Sequence, residues 1–175
     1  AFSSENWDRP QDEVNYLMKL LEEYLEKETK PLNEKGVKIL ISGNLEKLSA
    51  PIKTKISNIE NLTKNNSNLV LNVAFSYGSR QEILDAAKKL AVEVSEGKIS
   101  FDEIDQEKFS QKLYHPEIPD PDLLIRTAGD FRLSNFLLWQ AAYAELFFTK
   151  TYWPDFSKKE LVEAIKDFNK RERRY

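Results

Sequence analysis

The sequence predicts an α/β fold, a mostly parallel sheet with helices on both faces. Short apolar runs rich in β-branched residues alternate along the chain with longer segments whose apolar residues recur every three or four positions. The short runs are mostly continuous in their hydrophobicity rather than alternating with polar residues, which is typical of strands covered on both faces. The 175 residues show neither a repeat nor an interdomain linker. We therefore expect a single domain over residues 1–175, large enough for a core of its own.

Each element in the first 100 residues has its own signal. Residues 1–8 begin on small and aromatic side chains and then turn polar, as a chain does when it leaves the carboxyl end of a strand. Pro10 suits the first turn of the helix that follows. Apolar runs between turn-forming residues predict strands, and apolar residues at helical spacing predict helices. The predicted order is a helix over 10–28, a strand over 37–41, a helix over 52–62, a strand over 69–75 and a helix over 79–96.

The remainder of the chain continues this alternation. A loop with Gly97 leads to a short helical segment, and a proline-rich stretch precedes a three-residue apolar run. The segment FLLWQAAYA has a helical composition, ELFFT resembles a strand, and the last segment is amphipathic. The predicted order is a helix over 105–113, a strand over 123–125, a helix over 135–144, a strand over 145–149 and a helix over 158–173.

The composition excludes several classes of protein. Cysteine is absent, which rules out disulfides, thiolate metal sites and a cysteine nucleophile, and the only histidine, His115, makes a zinc site untenable. The net charge of −3 without a basic stripe argues against nucleic-acid binding. No apolar run has the length of a membrane span, no signal peptide is recognisable, and the standard glycine-rich nucleotide loops are missing. We expect a protein of the cytoplasm, either free or peripheral on the inner face of the membrane.

Arginine is used selectively in this lysine-rich chain. Seven of the 26 basic residues are arginine. The ligand crevice of a parallel sheet lies at the carboxyl ends of its strands, and guanidinium groups bind phosphate and carboxylate through two parallel hydrogen bonds. Four segments are predicted at that edge and three carry arginine, which favours an anion site over scattered surface ion pairs. They are SSENWDR, SYGSR, RTAGDFRLSN and Glu145 at the head of ELFFT.

The segment RTAGDFRLSN has the residues of a diphosphate cradle. Arg126 and Arg132 lie six positions apart across a turn, and Ser134 falls where a helix is predicted to begin. A helix start offers free backbone N–H groups and the positive end of a dipole. The alternative is that Ser134 only caps the helix and both arginines lie on the surface. Carboxylates such as Glu145 and Asp130 suit Mg²⁺, with an ion pair to an arginine as the alternative for Glu145.

The loop SSENWDRP concentrates polar and aromatic groups. Trp7 and Arg9 could bind an anionic head beside an apolar group, and Asn6 could hold a water or a reacting proton. The alternative is that Ser4 or Asp8 caps the following helix while Trp7 fills the core. Both interpretations stay open at this point.

Four segments resemble one known family, the cis-prenyltransferases, specifically the bacterial isoprenyl or undecaprenyl diphosphate synthases. They are AFSSENWDRP, PDPDLLIRTAGDFRLSNFLLWQAAYAELFF, TYWPDF and RERRY. The resemblance implies an enzyme that condenses isopentenyl diphosphate onto an allylic diphosphate, usually farnesyl diphosphate, with cis double bonds, to make a polyprenyl diphosphate lipid carrier. It further implies a parallel α/β sheet, a Mg²⁺ requirement, a homodimer, and peripheral membrane contact for product release.

The resemblance assigns roles to residues by motif. Arg126, Arg132 and Ser134 would bind the diphosphate of isopentenyl diphosphate. Asn6 would assist the proton removal that ends each condensation, and Glu145 would hold Mg²⁺. The apolar face of the first helix, which periodicity alone assigns to the core, would line the tunnel for the growing chain. The other substrate contacts would be Ser3, Ser4, Glu5, Trp7, Arg9 and Leu133, and the tunnel residues Leu17, Leu20, Leu21 and Leu69.

The chain also departs from the family pattern. It lacks the family's first strand and DGNGRWA-type phosphate loop, so we expect these 175 residues alone to be inactive although their parent is active. Asp130 replaces the usual Glu, Phe131 replaces His or Gln, SYGSR replaces NYGGR, and RERRY stops before the terminal Arg-x-Gly motif. A non-catalytic partner subunit is the alternative function, against which the retained Asn6, arginines and Glu145 argue.

Overall fold

The structure is a computed structural model that describes residues 1–172. The chain divides into two compact units, unit 1 (Ala1–Pro116) and unit 2 (Glu117–Tyr175). Each unit has its own parallel sheet, with four α-helices in unit 1 and one among the described residues of unit 2. The single domain over residues 1–175 stays a prediction.

Unit 1 contains a three-stranded parallel sheet in the order β1-β3-β2. All the strands and helices predicted for this part of the sequence are present, with bounds that shift by a few residues. The strands are β1 (Phe2–Ser3), β2 (Val37–Ser42) and β3 (Leu69–Tyr77), and the helices are α1 (Gln11–Glu34), α2 (Ala50–Thr63), α3 (Ser79–Ser95) and α4 (Gln106–Ser110), with 3₁₀ turns at Ser4–Asp8 and Phe101–Glu103.

The core of unit 1 lies between this sheet and helix α2. Of the four residues whose spacing predicted α2, three are buried: Ile52, Ile56 and Ile59 are all less than 8% exposed. The fourth, Leu62, is 57% exposed. The three isoleucines pack in one cluster with Ile39 and Ile41 of β2. Burial of apolar surface of this kind is the main force that holds the helix on the sheet. The remaining buried members of the cluster are Phe2, Val37, Leu48 and Phe75.

Helix α1 continues to Glu34, six residues beyond its predicted end. Leu25 and Leu32 both pack against the core cluster, so the apolar face persists through the polar segment that had suggested a helix end. Pro31 lies in the last turn, where its missing N–H removes only one helical hydrogen bond. The helix stops before Gly36, whose φ of 71° is in the left-handed region.

Strand β3 is buried only at its carboxyl end. Leu69 is 59% exposed and Leu71 37%, whereas Phe75 and Tyr77 are 4% and 3% exposed. The prediction of a buried strand over 69–75 is therefore wrong for its first half. In this half β3 has a neighbouring strand on one side only, since β2 runs beside it from Val37 onward while β1 reaches it only at Phe75 and Tyr77.

A buried carboxylate ties the end of β3 to a distant loop. Glu82 of α3 is 2% exposed. Its Oε2 accepts a hydrogen bond from the Tyr77 hydroxyl at 2.5 Å, and its Oε1 accepts one from the Tyr114 backbone N–H at 2.8 Å. Burial, followed by the charges of Asp85 and Glu82, raises the pKa of Tyr114 to about 12.

Because the pKa of Tyr114 is raised, the free energy of unfolding of unit 1 is expected to fall as pH rises in the alkaline range. The raised value favours the neutral phenol in the folded state, so its stabilising contribution is complete below pH 10 and is lost as pH rises toward 12. We expect Tyr114→Phe to flatten the fall in unfolding free energy between pH 9.5 and about pH 11.5. Urea unfolding at several pH values measures this, with Tyr16→Phe, at an exposed tyrosine, as the control. Equal slopes for wild type and Tyr114→Phe would contradict the assignment.

Unit 2 has a two-stranded parallel sheet made of β4 (Leu123–Arg126) and β5 (Glu145–Phe148). A 3₁₀ turn at Trp153–Asp155 leads to helix α5 (Lys158–Lys170). Both strands were predicted. Helix α5 begins where predicted and ends at Lys170 within the described residues, whereas the predicted end at Arg173 and the last letters of RERRY lie outside them.

The predicted helix over 135–144 is wrong. These residues form a succession of turns between β4 and β5. Ser134, Asn135 and Leu137 have φ values of 48°, 60° and 47°, in the left-handed region. A right-handed helix cannot pass through such residues. The apolar segment FLLWQAAYA therefore forms an irregular connection between β4 and β5.

Candidate active site

The carboxyl end of β4 carries the first residue of the predicted anion site, Arg126. A tight turn follows, in which Ala128 and Gly129 have φ values of 68° and 75°. Their N–H groups donate to the carbonyls of Thr151 at 2.9 Å and Thr149 at 2.8 Å. The backbone that carries RTAGDFRLSN is thus fastened to the segment after β5.

This turn brings both predicted arginines to one carboxylate. Arg132 donates from Nη1 to Oδ1 of Asp130 at 2.9 Å and from Nη2 to Oδ2 at 2.6 Å. Arg126 donates from Nη2 to the same Oδ2 at 3.2 Å. Arg132 Nε also donates to the Ser134 hydroxyl at 3.2 Å. Arg126, Arg132 and Ser134 therefore form one cluster with Asp130, and their role as diphosphate ligands stays a prediction.

The arginine cluster opens on a small cavity of about 190 Å³. The Arg126 side chain is 23% exposed and that of Arg132 62%, so one guanidinium is sheltered and the other faces solvent. Arg126 Nε is buried and has no hydrogen-bond partner within residues 1–172. Two cations facing one carboxylate leave a net positive charge next to an apolar floor. The lining residues are Leu124, Ile125, Arg126, Arg132, Leu133, Ser134 and Phe136.

Ser134 does not begin a helix, which corrects one part of the predicted cradle. Ser134 and the next residue are in left-handed conformation and turns follow. Free N–H groups of a helix start and a helix dipole therefore do not contribute to the cluster. Among residues 1–172, the positive charge of the cluster is that of the two guanidinium groups.

Glu145 lies at the other edge of the unit 2 sheet. It is the first residue of β5 and pairs in register with Leu123, the first residue of β4, whereas Arg126 pairs with Phe148 at the far end. The prediction that Glu145 lies at the carboxyl edge is wrong, because the head of a strand is its amino end. Its Oε2 is 2.5 Å from Arg171 Nη1, and this bond raises the pKa of Arg171. The alternative interpretation of Glu145, an ion pair, is the observed arrangement.

The two carboxylates predicted to suit Mg²⁺ are both bound by arginines in this structure. Among residues 1–172 no three histidine or acidic side chains are grouped so that they could hold a metal ion. Glu145 is already paired with a guanidinium, and Asp130 is held by two more. Mg²⁺ usually takes one or two carboxylates together with phosphate oxygens and water, and the role of Glu145 as a metal ligand stays a prediction.

The second group of predicted residues lies in unit 1, in the 3₁₀ turn Ser4–Asp8. Asn6 Oδ1 accepts a hydrogen bond from the Ser3 backbone N–H at 2.8 Å, while the Asn6 amide nitrogen makes no hydrogen bond within the described residues. Ser4 Oγ donates to Glu5 Oε2 at 3.1 Å. The alternative that Ser4 or Asp8 caps α1 does not hold, because the residue before that helix is Pro10.

Trp7 joins this turn to the end of β3. Its Nε1 donates to the Ser76 hydroxyl at 2.8 Å, and its ring packs edge-on against Phe2 with centroids 5.1 Å apart. SSENWDR and SYGSR are therefore in contact at the carboxyl ends of β1 and β3, as expected from the parallel sheet. Arg9 is half exposed and lies 3.7 Å from Glu13. Ser76, one of the two positions at which SYGSR departs from NYGGR, has a φ of 52°.

The four predicted tunnel residues occupy different environments. Leu17 and Leu21 are partly buried against the core cluster of unit 1, and Leu20 is also partly buried. Leu69 is exposed at the amino end of β3. A cavity of about 290 Å³ between α1 and α2 is lined by Leu25, Ile59 and Leu62 with polar neighbours, and by none of the four. Their role as a tunnel stays a prediction.

Comparison with known families identifies the class of protein to which this fold and these motifs belong. The chain belongs to the undecaprenyl diphosphate synthase family of prenyltransferases, since the family model described as "Putative undecaprenyl diphosphate synthase" matches residues 1–175. An isoprenyl transferase of Heliobacterium mobile is 51% identical over 175 residues, which are 100% of this chain and 67% of that protein. A ditrans,polycis-undecaprenyl-diphosphate synthase of Legionella pneumophila is named as specific for (2E,6E)-farnesyl diphosphate. It is 48% identical over 175 residues, which are 100% of this chain and 74% of that protein.

Solved structures confirm the α/β fold predicted from the sequence. Lavandulyl diphosphate synthase from Lavandula x intermedia, crystallised with dimethylallyl diphosphate, superposes with a TM-score of 0.92 at 35% identity, over 99% of this chain and 75% of that one. A probable undecaprenyl diphosphate synthase from Campylobacter jejuni gives 0.87 at 40% identity, over 99% and 79%. The family predicted from the sequence motifs is therefore confirmed.

Proposed function

We propose that this chain forms the larger part of an isoprenyl transferase that condenses isopentenyl diphosphate with an allylic diphosphate, in particular farnesyl diphosphate, and makes cis double bonds. The observation that carries the proposal is the cluster of Arg126, Arg132 and Ser134 beside a small cavity at the carboxyl end of β4. The names of its relatives support the substrate class, since one is a farnesyl-specific synthase and another was crystallised with an allylic diphosphate. A polyprenyl diphosphate lipid carrier is the proposed product.

The residues of this chain suit the steps of such a condensation. The reaction breaks the bond between the allylic carbon and its diphosphate, forms a carbon–carbon bond to the isopentenyl double bond, and releases one proton. Arg126 and Arg132 hold the diphosphate of isopentenyl diphosphate, so that its double bond is positioned for attack. The amide of Asn6 assists proton removal through a hydrogen bond. Trp7 fixes the Asn6 turn by its bond to Ser76.

Other parts of the proposal rest on the family resemblance. Mg²⁺ is the proposed cofactor, a homodimer the proposed assembly, and peripheral membrane contact the proposed route of product release. No helix among residues 1–172 has the length and apolar character needed to cross a membrane. A cytoplasmic location stays a prediction.

Turnover assays test the proposed activity. The natural protein that contains this sequence is incubated with farnesyl diphosphate, radiolabelled isopentenyl diphosphate and Mg²⁺, and the products are separated by chain length. We expect labelled polyprenyl diphosphates that are absent when the allylic substrate is omitted. A protein that binds neither diphosphate and forms no product would overturn the proposal.

The 175 residues by themselves are expected to be inactive in the same assay. This sequence lacks the DGNGRWA-type phosphate loop that the resemblance places in the family's site, and loss of groups that stabilise the departing diphosphate removes most of the rate acceleration. The comparison is made at equal concentration with the natural protein. Multiple turnovers by the 175-residue chain would show that the loop is dispensable.

Product length is expected to respond to side-chain volume at Leu17 and Leu69. We expect Leu69→Ala to lengthen the products and Leu17→Trp to shorten them, because the first enlarges and the second fills the proposed tunnel. Leu69 is 59% exposed, so its truncation leaves no core cavity and is expected to change the melting temperature little. Chain-length analysis is run beside thermal melts, with Leu62→Ala, at another exposed leucine, as the control. Unchanged product lengths for both variants would contradict the tunnel role and indicate that Leu17 and Leu69 act only in packing.

A further inference from the structure

The carboxylate of Asp130 occupies the position between Arg126 and Arg132 that a bound anion would need. We propose that Asp130 is an internal counter-anion, which holds both arginines in the free protein and is displaced when a diphosphate binds. This inference rests on the proposed function, because it takes a diphosphate as the natural ligand of the cluster. It adds an occupant that competes with substrate for the same donors.

The hydrogen bonds show that the best anion-binding face is already filled. Asp130 receives two parallel bonds from Arg132, the geometry in which guanidinium binds carboxylate and phosphate most strongly, and a third from Arg126. Arg132 Nε is engaged as well, by the Ser134 hydroxyl. A diphosphate that uses both guanidinium forks must therefore take the place of the Asp130 oxygens.

Charge and accessibility allow this exchange. Two guanidinium groups held close together repel each other, and one carboxylate between them offsets the repulsion when no ligand is bound. A diphosphate carries a larger negative charge than one carboxylate and presents more oxygens, so it competes well for both arginines. The Asp130 side chain is 37% exposed, so it can rotate toward water without burying its charge.

Only the side chain has to move. The backbone before Asp130 is fastened by the hydrogen bonds of Ala128 and Gly129 to the carbonyls of Thr151 and Thr149. The turn can therefore keep both arginines in place while the Asp130 carboxylate leaves. In this arrangement Asp130 lowers the affinity of the free protein for anions and limits occupation of the cluster by weakly charged ones.

Calorimetric titration of the 175-residue chain with inorganic diphosphate tests the proposal without any turnover. We expect Asp130→Asn, which keeps the size and one acceptor oxygen but removes the charge, to bind on the order of tenfold more tightly at low salt, with a smaller gain at high salt. Asp130→Glu keeps a competing carboxylate and is expected to stay near wild type. Asp167→Asn is the matched control, since Asp167 is also bound by an arginine of unit 2.

The outcomes separate this inference from the proposed function. Equal or weaker binding by Asp130→Asn, while Arg132→Gln weakens binding, would overturn the counter-anion and leave the anion site standing. Binding that is absent in every variant, or unaffected by Arg132→Gln, would overturn both. A second measurement needs no variant: the ¹³C carboxyl resonance of Asp130 in the wild-type chain should move toward that of an exposed aspartate as diphosphate is added. A resonance that stays in place at saturation would also overturn displacement.

Discussion

Alanine at Arg126 or Arg132 is expected to lower kcat/KM for isopentenyl diphosphate by roughly 30- to 5,000-fold in the natural protein that contains this chain. Loss of a charge-assisted bond to a partly buried anion costs about 2 to 5 kcal/mol, and each 1.36 kcal/mol corresponds to about a tenfold change in rate. The larger effect is expected at Arg126, because its side chain is 23% exposed and that of Arg132 62%. Steady-state kinetics at several isopentenyl diphosphate concentrations measure both effects.

A lysine variant separates this effect from a general loss of positive charge. Lys166 lies exposed on α5, and we expect Lys166→Ala to change kcat/KM less than twofold, because an exposed cation contributes little binding energy. Circular dichroism confirms that each variant is folded before it is assayed. Near wild-type kinetics for both arginine variants would contradict the proposal that this cluster binds isopentenyl diphosphate.

Gly43→Ala is expected to destabilise unit 1 by about 3 kcal/mol or more, or to prevent its folding. Gly43 follows β2, has a φ of 145°, and a Cβ built on it would lie 1.9 Å from the Phe75 carbonyl oxygen. That oxygen belongs to the backbone of β3 and cannot move without disrupting the sheet. The short distance between the chain at Gly43 and the end of β3 also allows the Asn44 N–H to donate to the Ser76 carbonyl at 3.1 Å. Urea unfolding followed by tryptophan fluorescence measures the loss.

Gly97→Ala is the matched control for this substitution. Gly97 also has a positive φ, of 69°, but a Cβ there would meet no heavy atom within 4 Å. Its replacement therefore carries only the conformational penalty, about 1 kcal/mol. Equal losses at the two glycines would mean that close approach of the β2 end to β3 is not what requires Gly43.

The periodic spacing of apolar residues predicted those elements that have one buried and one exposed face. Helix α2 is the clearest case, because it buries the three isoleucines that predicted it, although Leu62, the fourth residue of the pattern, is exposed. Periodicity failed for residues 135–144, where left-handed backbone at Asn135 and Leu137 overrides a helical composition. It also placed the end of α1 too early, because the last turns of that helix keep only Leu32 against the core.

The site was predictable in its residue types and less so in its contacts. The placement of Arg126 and Arg132 at a strand end followed from sheet direction, and their roles came from the family motif. That both bind Asp130 depends on left-handed residues in the turn, which spacing does not reveal. The error at Glu145 was avoidable, since the first residue of a parallel strand always lies at its amino edge.

The exposed beginning of β3 has a consequence for the colloidal behaviour of the purified chain. Leu69, Val70 and Leu71 are apolar and open to solvent, and within the described residues β1 pairs with β3 only near its other end. The side of β3 that faces away from β2 therefore offers main-chain donors and acceptors next to apolar side chains. Strand edges of this kind add strands from other molecules. We therefore expect edge-to-edge pairing between copies to limit the solubility of the purified chain, since a net charge of only −3 opposes it weakly.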